Sequence, residues 1–438
     1  MQRCANFAKK KKRVEMKRLI FAFLLLPFMA QAQTLDECQQ AAERNYPLIR
    51  QYDLIAQTTE LTVSNIGKAW LPQVSATAQA TYQSDVMSWP DQMQTMLNQM
   101  GLDVKGLKRD QYRIGIDVNQ TVFDGGRTRS QQEVARRQGN VQAAQTEVDL
   151  YAVRQRVNEM YFGLLLMDDQ IKLNKDLQEL LAASESKLAS MYKRGTAAES
   201  DYNNVKAERL KVAQQLTAME SQRRALATML GAFCGIEVNN VMKPVLTPTD
   251  ATFDVNRRPE LRLIDSQLLL ADAQEKLIDS SLLPHLSVFA SGYYGYPGYN
   301  MFEDMMGHDW SLNGMVGARL TWNIGSLYTR KNDKSKIQLQ RQAAETSRDV
   351  FLYNNRLEQL KHSEEVERYH QLISADDEII SLREKVRHAA ESKLSHGIID
   401  VNDLVKEINS ENAARVQRSI HEIELLKSVY DLKYTTNN

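Results

Sequence analysis

Side chains that bind soft metal ions are concentrated in two segments of the sequence. Thioether sulfur favours Cu(I), so contact of copper or silver with Met93, Met96, Met305 and His308 is one hypothesis. The other is that the methionines fill apolar gaps, because DQMQTMLNQMGL also has the pattern of a short amphipathic loop helix. No resident metal or cofactor is predicted. The two segments contain Met87, Met93, Met96 and Met100, and Met301, Met305, Met306 and His308.

The sequence lacks the spaced motifs that carry catalysis or cofactor binding. It contains no GxxxxGK phosphate loop and no HExxH, GxSxG or CxxC motif. Its seven histidines are dispersed without metal-ligand spacing. Cys38 and Cys234 could pair, but two cysteines in a long chain do not make a disulfide scaffold. We therefore do not expect an enzyme.

The N-terminus has the three parts of a secretory signal peptide. A basic segment precedes the apolar run LIFAFLLLPFMA, and Ala30-Gln31-Ala32 forms a cleavage site. Residues 1–32 are predicted to be removed, whether translation starts at Met1 or Met16. The alternative is a basic tail before a buried helix. Without the eight basic and one acidic residues of this segment, acidic residues exceed basic ones by seven. The remaining basic residues form no patch, so no nucleic acid partner is expected.

The rest of the sequence contains one order of elements twice. Pro47 and Pro72 are 25 residues apart, and Pro259 and Pro284 have the same separation. The interval is predicted to be helical in both copies, and each helix must end at its second proline. A strand pattern, a loop, a second strand and a glycine turn follow, with FDGG in the first copy and NIGS in the second.

Each copy continues into a helical segment of about 70 residues that ends at Gly195 or Gly397. These glycines begin the acidic stretches GTAAESDYNNV and GIIDVNDLVKE, which we call the tips, and a last helix follows each tip. The predicted repeats are residues 33–231 and 258–438, joined by a linker at 232–257. The first long segment has the heptad pattern of a coiled coil, formed by Leu150, Val153, Val157, Met160, Leu164, Met167 and Ile171.

Four segments alternate apolar with polar residues, which predicts strands at about 72–88, 111–123, 284–296 and 311–323. The alternation is typical of a transmembrane barrel around water, and equally of a solvent-facing sheet in a soluble domain. The leader and the long helices favour the membrane. Because four strands cannot enclose a water-filled pore and open edges cannot face lipid, a barrel would be shared between chains. Three chains would give twelve strands.

The order and spacing of these elements resemble the TolC family of outer-membrane efflux proteins. The resemblance extends from Leu35 to about Tyr434 and rests on the duplicated layout, the prolines, the FDGG turn and the tip glycines. It implies a mainly α fold with a transmembrane β-barrel. A homotrimer would place a twelve-stranded barrel in the outer membrane of a Gram-negative bacterium and a twelve-helix tunnel in the periplasm. Residues 232–257 would belong to an equatorial domain.

The same resemblance implies a passive exit duct of a tripartite efflux or type I secretion system. A periplasmic adaptor would open the tips, and an inner-membrane pump would supply energy. The alternative from another class is a soluble periplasmic coiled-coil scaffold. On the inward strand faces, Arg113, Asp117 and Arg319 would line the barrel lumen and bias ion passage, or would form interstrand salt bridges.

Members of this family close the periplasmic end with aspartates shortly after the tip glycine. By position these are Asp403, six residues after Gly397, and Asp201, six after Gly195. A ring of three Asp403 carboxylates would narrow the mouth and attract cations. The alternative is that both aspartates stabilise the start of the returning helix.

The tips also depart from the family pattern. The best-known relative locks its tips with a tyrosine and an arginine, where this chain has Leu394 and Ile399, and its second aspartate corresponds to Lys406. We therefore expect a different lock. The glycines are expected to act as left-handed helix stops, and the exposed tips to bind the adaptor through Tyr192, Arg194, Gly195, His396, Gly397 and Ile398.

Overall fold

The computed structural model describes residues 32–104, 106–245 and 256–437. Over these residues it contains nine α-helices and four β-strands, and none of these helices is both long and apolar enough to cross a membrane. The predicted signal peptide lies outside the described residues except for Ala32, as do residues 246–255 of the predicted linker. The helices are α1 (Leu35–Asn45), α2 (Arg50–Gly67), α3 (Asp91–Gln99), α4 (Arg127–Lys193), α5 (Glu199–Cys234), α6 (Pro259–Ser281), α7 (Met301–Gly307), α8 (Ser326–Ser395) and α9 (Val401–Thr436).

Prolines delimit the helices that precede the strands. After α2 comes a 3₁₀ turn at Lys68–Trp70, and Pro72 then precedes the first strand. Helix α6 begins with Pro259, where the missing N–H costs no helical hydrogen bond. It ends before Pro284, because a proline ring blocks continuation of the helix. Both copies therefore change from helix to strand at the predicted point.

The strands are β1 (Gln73–Tyr82), β2 (Asp110–Phe123), β3 (His285–Tyr296) and β4 (Ser311–Thr321). The structure shortens the first predicted strand, which was expected to reach about residue 88. Tyr82 pairs with Asp110, the first residue of β2, so β1 ends where its partner begins. Strand β4 likewise stops at Thr321, opposite the first residue of β3.

The four strands form one antiparallel sheet in the order β1-β2-β3-β4. Directly opposed residues share a face, so Arg113 lies on the same face as its partners Gln79 and Gly295. This register puts most of the polar residues of all four strands on one face of the sheet and most of the apolar residues on the other. The polar face carries Ser75, Thr77, Gln79, Arg113, Asp117, Asn119, Ser287, Ser291, Asn313 and Arg319, and the apolar face carries Val74, Ala76, Ala78, Ile114, Ile116, Val118, Val288, Ala290, Leu312, Val316 and Ala318.

The chain divides into two compact units that do not follow the predicted repeat boundaries. The helical unit consists of Met1–Ile49, Asp149–Arg257 and Asn355–Asn438. The strand unit consists of Arg50–Val148 and Arg258–Asn354. Each unit takes segments from both sequence copies, and α4 and α8 contribute residues to both units.

The helical unit has two apolar cores. In the α1 core, α1 packs against α4 and the end of α5, and the fully buried Tyr161 lies at hydrogen-bond distance from the carbonyl oxygens of Gln33 and Met242. Heptad positions Val153, Val157 and Leu164 are buried in this core. The tip core lies between the two hairpins and consists of Leu177, Leu181, Leu188, Val205, Val212, Ala390, Val401, Leu404 and Ile408.

The FDGG turn of the strand unit joins β2 to α4. The buried Asp124 accepts hydrogen bonds from the N–H groups of Gly126 at 2.8 Å and Thr128 at 2.7 Å. Burial alone would raise the pKa of Asp124, but a hydrogen bond from the Thr128 side chain and the two backbone hydrogen bonds lower it. At Gly125, φ is +66° and an added Cβ would lie 2.4 Å from Leu283 Cβ. The turn therefore needs glycine for both conformation and space.

Helices α6 and α8 are joined in the strand unit by a series of ion pairs. Lys334 Nζ lies 2.8 Å from Asp279 Oδ2. This pair is one of three that recur at seven-residue steps along α6, the spacing of a coiled coil. These pairs are Asp265 with Arg348, Asp272 with Arg341, and Asp279 with Lys334.

Candidate functional site

Both tips end their incoming helix with the same glycine turn. Gly195 has φ +75° and Gly397 has φ +72°, a region in which side chains other than glycine are strained. In each tip, the N–H after the glycine donates to a carbonyl five residues earlier, at 2.9 and 3.0 Å. This is a Schellman C-cap. The left-handed conformation of this C-cap therefore explains why both positions are glycine.

The two candidate gate carboxylates have different surroundings. Asp201 accepts a hydrogen bond from the N–H of Ala198 at 3.4 Å, at the start of α5. In α9 the N-cap residue is Asp400, whose Oδ1 accepts the N–H of Asp403 at 2.9 Å. The side chain of Asp403 is exposed. The capping alternative therefore fits Asp201, whereas Asp403 presents its carboxylate to solvent.

A hydrogen bond links the two hairpins near the tips. Asn204 Nδ2 on α5 donates to Asn402 Oδ1 on α9 at 3.2 Å. Further along the same helices, Asn409 Nδ2 donates to Glu208 Oε1 at 3.0 Å. The sequence analysis did not predict these contacts. The tip stretches show asparagines, but sequence alone gives no register between separate hairpins.

Leu394 and Ile399 pack against the tip core. Both side chains are partly buried there. Apolar burial is non-directional, so they hold the second tip by packing rather than by hydrogen bonds. Within one chain, the hydrogen bonds Asn204–Asn402 and Asn409–Glu208 are polar links between the hairpins.

The candidate adaptor-binding residues lie on the outer surface of the tips. Ile398 is 70 % exposed and Tyr192 is 44 % exposed. Arg194 Nε donates to the carbonyl of Ser190 at 3.2 Å, and His396 Nδ1 lies 2.8 Å from the carbonyl of Ser392. The tips therefore present apolar surface beside polar groups that are oriented by their own helices.

A nearly buried carboxylate lies between α8 and α9. Glu411 is 6 % exposed, and it accepts hydrogen bonds from Arg387 at 2.5 Å and from Arg415 at 3.0 Å. Burial alone would raise the pKa of Glu411, but the two guanidinium groups lower it. The carboxylate therefore stays ionised and ties the second hairpin together.

The candidate lumen residues all lie on the polar face of the sheet. The guanidinium carbon of Arg113 lies 4.5 Å from the ring centre of Tyr293, and that of Arg319 lies 5.0 Å from the ring centre of Phe289. Among the ion pairs of the described chain, none includes Arg113, Asp117 or Arg319. The arginines thus rest on aromatic rings, a favourable arrangement for a cation.

The apolar face of the sheet is left uncovered by the described chain. Leu312 is 83 % exposed, Val316 82 % and Ile114 61 %. Such a continuous apolar surface is unusual on a protein surrounded by water. It requires another apolar medium or partner.

The candidate metal-contact residues do not share one environment. Met305 is buried in a loop cluster with Leu107 and Tyr296, whereas Met93 and Met96 are exposed on α3. His308 Nε2 lies 2.7 Å from the carbonyl oxygen of Gly106. Helix α3 confirms the predicted loop helix. In the described ranges, no cluster of His, Cys, Asp and Glu is suited to hold a metal ion.

Several solved structures of outer-membrane proteins share this fold. The outer membrane protein VceC from Vibrio cholerae has a TM-score of 0.65 and 12 % identity, covering 92 % of this chain and 96 % of its own. The CmeC outer membrane channel of Campylobacter jejuni has a TM-score of 0.64 and 12 % identity, covering 92 % and 85 %. The open state of the MtrE outer membrane channel of Neisseria gonorrhoeae has a TM-score of 0.60 and 14 % identity, covering 92 % and 89 %.

The sequence itself carries a family match. No curated protein matches the chain significantly. Residues 38–233 match the model of the family described as outer membrane efflux protein, which agrees with the resemblance to TolC proteins. Over residues 38–233 the chain therefore resembles the outer membrane efflux protein family in sequence.

Proposed function

We propose that this protein is an outer-membrane efflux channel, a passive exit duct formed by three copies of the chain. The observation that carries this proposal is the sheet, which has polar side chains on one face and exposed apolar side chains on the other. Lipid can cover the apolar face while water contacts the polar face. Arg113, Asp117 and Arg319 would then face the lumen.

The two edges of the sheet support the proposed trimer. β1 and β4 are the edge strands, and their unpaired backbone groups cannot face lipid. Pairing β4 of one copy with β1 of the next satisfies these groups. Four strands are too few to surround water, whereas three copies supply twelve.

The tips are the proposed periplasmic gate. Three exposed Asp403 carboxylates would form the narrowest ring and attract cations. Asp201 would contribute less to this ring, because it also holds the start of α5. Opening would require movement of the hairpins, so the Asn204–Asn402 hydrogen bond would be one of the contacts that resist it.

The proposed partners are a periplasmic adaptor and an inner-membrane pump. Members of this family act with such partners, and the adaptor would contact the tips. Ile398 and Tyr192 would supply the apolar part of that contact, with Arg194 and His396 beside them. Gly195 and Gly397 would fix the shape of the turns that present these side chains.

The competing function is a soluble periplasmic coiled-coil scaffold, which the family match disfavours. The test is fractionation of cells that express the full chain, followed by electrophoresis of unheated and heated samples. We expect a trimer in the outer membrane that dissociates only on heating, and ion conductance when it is placed in a planar bilayer. A monomer in the soluble periplasmic fraction would support the scaffold instead.

A further inference from the structure

Two thiols from distant parts of the chain meet in the α1 core. Cys38 lies on α1 and is 0 % exposed, and Cys234 is the last residue of α5 and is 2 % exposed. The thiol of Cys234 donates a hydrogen bond to the carbonyl oxygen of Cys38 at 3.3 Å. The two positions are 196 residues apart in sequence. Their contact therefore joins the first helix to the end of the first hairpin.

The surroundings of this pair are apolar, formed by Leu35, Ala42 and Leu230. Among the described residues, the two thiols are not part of a cluster of three or more His, Cys, Asp and Glu side chains that could hold a metal ion. Each thiol also interacts with the other, which affects the titration of both. Their most accessible chemistry is therefore with each other.

We propose that Cys38 and Cys234 form an intramolecular disulfide that fastens α1 to the end of α5. The proposal rests on the exported location in the proposed function, because disulfides persist in an oxidising compartment such as the periplasm. The oxidant is a thiol–disulfide oxidase that carries a reactive disulfide. One cysteine thiolate attacks that disulfide and forms a mixed disulfide with the oxidase, and the other cysteine then attacks the mixed disulfide at the chain's own sulfur and displaces the oxidase thiolate. The two thiol protons and the two electrons end on the oxidant, which leaves as a dithiol.

The burial of both thiols sets the order of events. Cys38 is 0 % exposed and Cys234 is 2 % exposed, so an oxidase cannot reach either sulfur in the closed core. The bond therefore forms before the α1 core closes. Once closed, the core shields the disulfide from reductants. Because α1 begins at Leu35, just after the predicted cleavage site, the bond would anchor the start of the mature chain.

The test is peptide mapping of the full chain isolated from the membrane fraction. The protein is denatured without reductant, treated with iodoacetamide and digested with trypsin. Cys38 is then in the peptide that ends at Arg44, and Cys234 is in the peptide 225–257, because Lys243 precedes a proline. We expect one linked species, two hydrogen atoms lighter than the sum of the two peptides, with no alkylation. Treatment with reductant should release both peptides.

Two controls define the outcomes. In Cys38→Ala, Cys234 has no partner and should be fully alkylated without reduction; labelling follows denaturation, so the variant need not fold. The chain expressed without its first 32 residues in a reducing cytosol should carry two alkylated cysteines. Full alkylation of both cysteines in the unreduced exported protein would overturn the proposal, as would a linkage between chains on a non-reducing gel. A linked pair in a soluble periplasmic protein would support the disulfide proposal but contradict the proposed channel function.

Discussion

Arg209 donates a hydrogen bond from Nε to Oε2 of Glu185 at 2.5 Å and so joins α5 to α4. In the second hairpin, Arg387 and Glu411 join α8 to α9, also at 2.5 Å. The two pairs are 202 residues apart, the spacing that also separates the tip glycines. The charges, however, are exchanged between the incoming and returning helices. An ion pair thus fixes the register of each hairpin, whichever helix carries the acid.

We predict that Glu411→Gln destabilises the protein more than Glu185→Gln. The side chain of Glu411 is 7 % exposed and has two arginine partners, whereas that of Glu185 is 15 % exposed and has one. Loss of a hydrogen-bonded buried charge costs about 1.5–3 kcal/mol, and loss of a more solvated pair costs about 1 kcal/mol or less. Thermal unfolding of the two variants, followed by helical circular dichroism, measures this difference. Equal losses of stability in the two variants would show that the deeper burial of Glu411 does not add to its contribution.

The same carboxylate predicts a dependence of stability on pH. The pKa of Glu411 is lower in the folded protein than in the unfolded chain, where it is about 4.3. The ionised carboxylate therefore makes its full contribution to the free energy of unfolding above about pH 4.3. This contribution is lost as the pH falls through the lowered pKa of Glu411 in the folded protein. We expect the difference in unfolding free energy between wild type and Glu411→Gln to be constant near neutral pH and to shrink below pH 4. A difference that grows on acidification would contradict the argument.

Periodicity in the sequence predicts which face an element buries. The heptad positions Val153, Val157 and Leu164 are all buried, because a helix repeats every 3.6 residues wherever it packs. Strand alternation likewise predicts the two faces of the sheet, since a slip of one residue would exchange them. These features depend on near neighbours in sequence, so they can be predicted without knowing the fold.

Contacts between elements depend on register, which sequence periodicity does not give. Nothing in the sequence distinguishes Asp400 as the N-cap from Asp403 three residues later, since both are acids near the start of a helix. The end of β1 is set by the start of β2, through the pair Tyr82 and Asp110. The Asn204–Asn402 bond joins hairpins that are about 200 residues apart. Such features follow only from tertiary structure.

The two faces of β4 give a direct test of the membrane assignment. Val316 on the apolar face is 82 % exposed, and its neighbour Met315 lies on the polar face, opposite Ser291. A lysine that faces lipid near the bilayer centre costs about 2–4 kcal/mol, whereas one in an aqueous lumen costs little. We therefore expect Val316→Lys to reduce the amount of trimer assembled in the outer membrane. Met315→Lys, the matched control, should assemble nearly normally.

The amounts are compared by electrophoresis of unheated outer-membrane fractions with total expression held equal. If both lysine variants assemble equally well, the apolar face does not contact lipid. Equal failure of both variants would mean that β4 tolerates no charge on either face. Only the asymmetric outcome agrees with an outward apolar face.

The exposed carboxylate of Asp403 predicts the ion preference of the channel. Asp400 caps α9, so Asp403→Ala removes a charge without removing the N-cap. If three such carboxylates ring the mouth, their loss should move the ratio of cation to anion permeability towards one. The ratio is measured from reversal potentials in a salt gradient across a planar bilayer. Glu378→Gln is the control, because it removes an exposed acid on α8 about five helical turns before Gly397. Unchanged selectivity in Asp403→Ala, or an equal change in both variants, would remove Asp403 from the gate.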